Sequence, residues 1–240
     1  LSNPDGNRRR RAQAAPATRR YMQEYLGAPL EDAEDALWET ELLANIQVDA
    51  DDLPKMDRLI IAIDPALTTD KKADETGIIL GGVHKDRKKR LTTAYVLGDF
   101  SCHEKPLTWA RRVAELAVKL RVREIVYERN IAGPLIEDIL RKTLKEHAPG
   151  VKLHAVTVNK SKMHRAEPVS SLYYAGRVRH CHGFIDGMDL HALEEQMVTW
   201  SPSGTSGKSP DRIDALVHFV DRALVRTGGL SAMAPDRISW

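Results

Sequence analysis

Cysteine is scarce in this chain, with Cys102 and Cys181 the only two among 240 residues. That excludes a disulfide framework and points to a reducing compartment. No run approaches the ~18 apolar residues that a membrane-spanning helix needs, and no signal-peptide pattern opens the chain. Internal repeats are absent, which removes solenoids and propellers. The chain opens on Leu1 rather than Met and is read as a piece of a longer protein. One stretch lacks positive charge altogether: residues 31–52 hold nine acidic residues and no Lys or Arg.

What is present balances that stretch. The net charge is only +2, so the rest of the chain is strongly cationic. Its basic residues cluster at Arg8 to Arg11, Lys85 to Arg90, Lys160 to Arg165, and Arg177 with Arg179. A cationic body carrying an acidic segment suggests a polyanionic partner, with nucleic acid the first candidate. Apolar residues make up 42% of the chain, enough to bury a substantial core.

Residues 1–20 are rich in Arg, Ala and Pro, show no apolar period, and are read as flexible or as linker. Residues 21–46 are partly helical in pattern, with Leu37, Trp38, Leu42 and Leu43 as anchors, and Pro54 marks a boundary. This gives a linker and acidic helical segment over 1–54, a compact domain over 55–228 and a tail over 229–240. The compact domain opens with strands at 58–63, 76–83 and 91–97, an antiparallel meander joined by a basic turn. A helix from Pro106 repeats Ala110, Val113, Ala114, Ala117 and Leu120 at helical spacing. Strand 124–128, helix 134–146, strand 152–158 and helix 161–174 follow. A short hairpin over 178–185 and helices at 189–198 and 210–226 complete the order. The predicted class is α/β, a mixed sheet of antiparallel meander plus parallel strands flanked by helices.

The acidic residues fall where these elements end or meet. Asp64 closes the apolar run from Leu59 to Ile63, and Glu128 closes Ile125-Val126-Tyr127. Asp211 and Asp214 open the last helix, and their i,i+3 spacing puts both on one face of its first turn. Pro210 suits the first helical position and Ser209 the N-cap. A carboxylate at the end of a buried strand is costly without a cation beside it, and several together raise one another's pKa. Divalent ions held by all four would resolve the repulsion and support phosphoryl chemistry. Mg²⁺ or Mn²⁺ suits such oxygen donors, two ions in all. Singly, each acid also has a structural explanation: Asp64 beginning a turn before Pro65, Glu128 pairing with Arg129, Asp211 favoured at a helix start by the dipole. Asp214 is harder to explain that way, because it precedes Ala215-Leu216-Val217 on an apolar helix.

The motifs in order are Ala-Ile-Asp-Pro-Ala (62–66), Asp-Glu-Thr-Gly-Ile (74–78), Tyr-Glu-Arg-Asn (127–130) and Lys-Met-His-Arg-Ala-Glu-Pro-Val (162–169). Leu-Glu-Glu-Gln-Met (193–197) and Lys-Ser-Pro-Asp-Arg-Ile-Asp-Ala-Leu-Val (208–217) follow. Together they resemble the C-terminal nuclease domain of phage terminase large subunits, the DNA-packaging motor proteins. Residues 27–38 also look like the stretch that joins motor to nuclease. The resemblance implies a ribonuclease H-like fold and metal-dependent cutting of concatemeric duplex DNA with little sequence preference. Asp64 and Glu128 then become the strand ligands and Asp214 the helix ligand, with Asp211 a second helix acid. The implied partners are duplex DNA, a terminase ATPase domain, a small terminase subunit and a portal, with no membrane. The implied setting is the host cytoplasm, and the isolated domain is expected to be a monomer. The four-carboxylate layout is also similar to that of Holliday-junction resolvases, which keeps a structure-selective cutter open. A catalytically silent DNA-binding or motor-docking module is the non-enzymatic alternative.

Lys160, Lys162 and Arg165 at a helix start, with Arg177, Arg179 and Lys208, are the candidate DNA contacts. Pro202 to Ser209 imitates a phosphate loop, but such a loop needs Gly where Pro202 stands and a strand before it. It is read instead as a loop beside the metal site. His180-Cys181-His182 hints at a metal, yet adjacent ligands do not easily share one tetrahedral ion and no Cys-x-x-Cys partner exists. His164 and His218 are read as packing or surface histidines, with tuning of the site as the alternative, and Trp109 and Trp200 as core or partner-contacting residues.

Overall fold

The computed structural model describes residues 32–66, 75–129, 133–159, 161–185, 188–203 and 210–225. Strand β1 (Arg58–Asp64) buries Ile60 to Ile63 completely, the mark of a central strand covered on both faces. β2 (Gly77–Asp86) and β3 (Leu91–Asp99) follow it as an antiparallel meander. β4 (Glu124–Glu128) pairs parallel on the other side of β1, and β5 (Lys152–Val156) lies parallel outside β4. β6 (Val178–His180) pairs parallel with β3, giving the order β5-β4-β1-β2-β3-β6. The α/β mixed sheet expected from the sequence is therefore present.

Among the described residues, six α-helices flank it: α1 (Thr40–Asn45), α2 (Pro106–Leu120), α3 (Gly133–His147), α4 (Lys162–Tyr174), α5 (His191–Thr199) and α6 (Asp211–Val220). α2 starts on a proline, whose missing N–H costs nothing there, and ends at Arg121 in the left-handed conformation. Side chains alternate across the pleat and divide the core in two. Ile61, Ile63, Ile78, Leu80, Ile125 and Tyr127 meet α2 and α3 through Trp109, Val113, Ile136 and Leu140. Ile60, Ala62, Ile79, Val96 and Val126 meet the other helices through Tyr173, Leu193, Met197, Leu216 and Phe219. Each such aliphatic side chain contributes about 1.5–3 kcal/mol by leaving water.

The later part of the acidic segment belongs to this second core. Trp38 is fully buried, with its ring edge-on to Tyr173 at 5.9 Å and tilted against Trp200 at 6.4 Å. Leu43 and Ile46 are buried with it, and Leu37 and Leu42 pack alongside.

Three local expectations need correction. The hairpin over 178–185 does not form: the chain pairs with β3 only to His180, then Gly183 at φ 72° turns it toward α5. β5 stops at Val156, and Val158 packs against the core without joining the sheet. The last α-helix begins at Asp211 with Pro210 just before it, and beyond Val220 it widens into a π-turn over Asp221–Val225. Among the described residues, no helix is long and apolar enough to cross a membrane.

Candidate active site

Because β1 and β4 are parallel with Ile63 level with Tyr127, the next residues, Asp64 and Glu128, emerge side by side at one end of the sheet. α6 reaches the same end because β2 has no side chain in its way. A Cβ on Gly77 would lie 2.0 Å from the Asp211 carbonyl oxygen, and one on Gly81 2.0 Å from the Phe219 ring. Gly77 is also the register partner of Asp64, so the first turn of α6 is pressed against the end of β1. Asp211 and Asp214, both nearly buried, therefore join Asp64 and Glu128. All four acids singled out in the sequence converge on one sheet end.

Basic side chains from α4 and α6 enter the cluster. Lys162 Nζ lies 2.7 Å from Asp214 Oδ2, and Arg165 spans Asp214 Oδ1 at 3.0 Å and Glu128 Oε2 at 3.3 Å. His218 Nε2 donates to Glu128 Oε2 at 2.8 Å. The backbone N–H of Glu75 donates to Asp211 Oδ2 at 2.8 Å. Burial pushes the Asp64 carboxyl well above the carboxylate range, and the charges of Asp214, Glu128 and Asp211 push the same way against Lys162. For Glu128, burial acts upward, but His218, Arg165 and Lys162 together outweigh it and hold the group below its ordinary value. Lys162 thus only partly offsets burial and like charge at Asp64, whereas Glu128 and Asp214 each meet Arg165 directly. An all-carboxylate donor set suits a hard divalent cation, and the raised carboxyl of Asp64 marks where positive charge is short. The residues fit such an ion.

The positive side chains divide differently from the sequence reading. Lys162 and Arg165 sit on the carboxylates themselves, with Arg165 only 14% exposed. Arg177 and Arg179 are not brought to the cluster. Val178 is level with Ala94, Val83 and Arg58, which places both at the far end of the sheet, roughly 20 Å along the strand direction from the level of Asp64. There Arg177 Nε donates to the Thr92 carbonyl at 2.6 Å and Arg179 Nη1 to that of Asn45 at 3.4 Å. Lys160 and Lys208 lie outside the described residues, as does most of the loop that imitates a phosphate loop. Glu128 does not pair with Arg129, which turns instead to Glu137. His164 stays exposed against Ser161, whereas His218 is buried against Glu128 and supports the site. Trp109 and Trp200 are core residues. A cleft lined by Thr157, Asn159, His164, Arg165, Pro168 and His218 opens beside the cluster.

Sequence reading missed Arg212. Its guanidinium holds Asp99 Oδ2 and Glu75 Oε1, each at 2.7 Å, and so ties α6 to β3 and to the entry of β2. A cation in the first turn of a helix opposes the dipole, and that was the available signal that it has a partner elsewhere. Arg212→Ala leaves Asp99, whose side chain is 4% exposed, without this partner. The expected loss is about 3 kcal/mol in urea unfolding, the usual effect of stranding a buried charge.

A family model described as the terminase RNaseH-like domain matches residues 61–223, most of the chain and every carboxylate of the cluster. Curated proteins give no match in sequence. Among solved structures, the chain is similar to the nuclease domain of the large terminase subunit gp2 of bacterial virus Sf6. The identity is 14% and the TM-score 0.53, covering 76% of this chain and 96% of that one. A mutant of the same Sf6 domain with manganese and beta-thujaplicinol scores 0.53 at 13% identity, with the same coverage. The large terminase of a thermophilic bacteriophage scores 0.50 at 10% identity, covering 78% of this chain and 43% of that one. At such identities the structural likeness establishes the ribonuclease H-like fold, and the family model supplies the kinship. The chain belongs to the terminase RNaseH-like domain family.

Proposed function

We propose that this chain is the metal-dependent endonuclease domain of a viral DNA-packaging terminase, hydrolysing phosphodiester bonds of concatemeric duplex DNA with little sequence specificity. The observation that carries this reading is the gathering of Asp64, Glu128, Asp211 and Asp214 at one sheet end, where burial and like charge at Asp64 outweigh the nearby Lys162. These four carboxylates would hold Mg²⁺ or Mn²⁺, two ions in all, and the manganese in the related Sf6 domain supports that choice. Such ions, when bound, activate water and neutralise charge on the leaving oxygen.

The chain's own groups supply position. His218 fixes one oxygen of Glu128, Arg165 links Glu128 to Asp214, and the Glu75 N–H orients Asp211. Lys162 is 44% exposed and can offer its ammonium to an incoming phosphate while remaining near Asp214. Lys160 and Lys208 are proposed to extend this path, and Arg177 and Arg179, at the far end, are left out of it. Duplex DNA, an ATPase domain, a small terminase subunit and a portal are the proposed partners, in the host cytoplasm, with this domain alone a monomer.

Cleavage of linear duplex against a four-way junction, with Mg²⁺, Mn²⁺ or EDTA, separates the candidates. Metal-dependent cutting of plain duplex supports the terminase reading, and strong preference for the junction would replace it with a resolvase. DNA binding with no cutting of either substrate points to a docking module. Lys162→Ala combined with Arg165→Ala is expected to weaken duplex binding and to flatten its log–log salt slope by about 1 for each phosphate no longer neutralised. An unchanged slope excludes both from the DNA path.

A further inference from the structure

A second group of ligand-type side chains lies at the edge of the sheet, three strands from Asp64. Among the described residues, His182, His191 and Glu194 bring one ligand atom each to within 4.8 Å of one another. His182 follows the end of β6, while His191 and Glu194 stand at i and i+3 on one face of α5. We propose that these three side chains form a structural site for a borderline transition-metal ion of the Zn²⁺ class, distinct in place and in chemistry from the carboxylate cluster.

The donors are two imidazoles and one carboxylate, a set that suits zinc and its neighbours and is poor for Mg²⁺. His182 Nε2 and Glu194 Oε1 are 3.2 Å apart. Two ligands bonded at about 2.0–2.1 Å in a tetrahedral arrangement lie roughly 3.3 Å from each other. The rings of His182 and His191 have centroids 4.8 Å apart and are tilted 39° to each other. Glu194 is 2% exposed, and its Oε1, the oxygen that meets His182, is also held by His180 Nδ1 at 2.7 Å and Gln47 Nε2 at 2.9 Å. His180 is in turn fixed by the Tyr173 hydroxyl at 2.9 Å. Buried partners that aim a carboxylate in this way are the second layer that metal ligands require. His182 and His191 are partly exposed, so an ion has a way in.

Binding requires a change of tautomer. In the metal-free protein a hydrogen joins His182 Nε2 to Glu194, and His182 Nδ1 accepts a long 3.4 Å hydrogen bond from the Leu190 N–H. An ion at Nε2 requires that hydrogen to move to Nδ1, at the expense of the Leu190 bond. Protons compete with the ion for the imidazole nitrogens, so affinity falls as pH falls. The ion would fasten the turn after β6 to the start of α5. α5 in turn supports the active-site helix, since Gln196 Oε1 accepts from the Ile213 N–H at 3.1 Å.

Co²⁺ titration of the untagged, metal-stripped chain in excess Mg²⁺ tests this. One equivalent should bind with visible d–d absorption, and Zn²⁺ at about 100 times its Kd should raise Tm by roughly 5–10 °C. Asp64→Asn and His164→Ala should retain the uptake. His191→Ala and His182→Ala, checked for folding by circular dichroism, should each lose it. Failure of the wild-type chain to take up Co²⁺ in Mg²⁺ overturns the proposal. So does uptake that survives in folded His191→Ala or disappears in Asp64→Asn. None of these outcomes depends on DNA cleavage.

Discussion

Asp64→Asn is expected to abolish DNA cleavage while raising the thermal stability of the metal-free protein near neutral pH. The two effects share one cause. Asp64 is buried, and three other carboxylates lie beside it, so its pKa in the folded chain is raised above its ordinary 3.8. A group whose pKa rises on folding stabilises the fold while protonated, below its unfolded value, and that stability is lost as pH climbs through the folded pKa. In EDTA, the wild-type Tm should decline on this account above about pH 4, and the Asn variant should lack that component. With metal and DNA present, Asn cannot supply the charged ligand. Losing several kcal/mol of transition-state stabilisation corresponds to a rate lower by about 10²–10⁴-fold. A variant that melts earlier than wild type in EDTA at pH 7 would show that Asp64 is not under the stress described.

Gly77→Ala should also disable cutting, though it alters no carboxylate. The added methyl would meet the Asp211 carbonyl oxygen at 2.0 Å, its carbon at 2.7 Å and Ala215 Cβ at 3.1 Å. Two of those atoms are backbone, so α6 itself must move away from β2. Overpacking of this kind costs about 1–3 kcal/mol, and the displaced helix carries Asp211 and Asp214 with it. Gly98→Ala is a suitable comparison, because its nearest obstacle is the movable Phe100 ring at 2.9 Å. Urea unfolding and plasmid cleavage on the two variants should show the larger loss in both for Gly77→Ala. Full activity in Gly77→Ala would mean that this close approach does not set the site.

The site was legible where local pattern and tertiary position coincide. Asp64 and Glu128 stand out because each ends a short apolar run that has to be a buried strand. Asp214 stands out because it interrupts an apolar helix face. Their convergence follows from strand order, and the motif order supplied that more than any periodicity did. What stayed hidden was pairing between distant side chains. Lys162 and Arg165 read as a solvated, DNA-facing helix start, and nothing local reveals that they fold back onto Asp214 and Glu128. Arg212 is hidden in the same way, since Asp99 is 113 residues away in sequence. Trp38 lies in a strongly acidic stretch, and its packing on Tyr173 and Trp200 brings together three remote segments. The hairpin after Val178 was misread because three-residue β6 draws its pairing from β3, out of reach of any turn signal.

Digestion of supercoiled plasmid by the purified chain, in EDTA, Mg²⁺ or Mn²⁺ and beside Asp214→Asn, addresses the central claim most directly. Conversion to nicked and linear forms only with added metal, and its loss in the folded variant, is the predicted result. Cutting that persists in EDTA, or that the Asp214→Asn variant performs at the wild-type rate, would contradict the assignment of the carboxylate cluster as the nuclease centre.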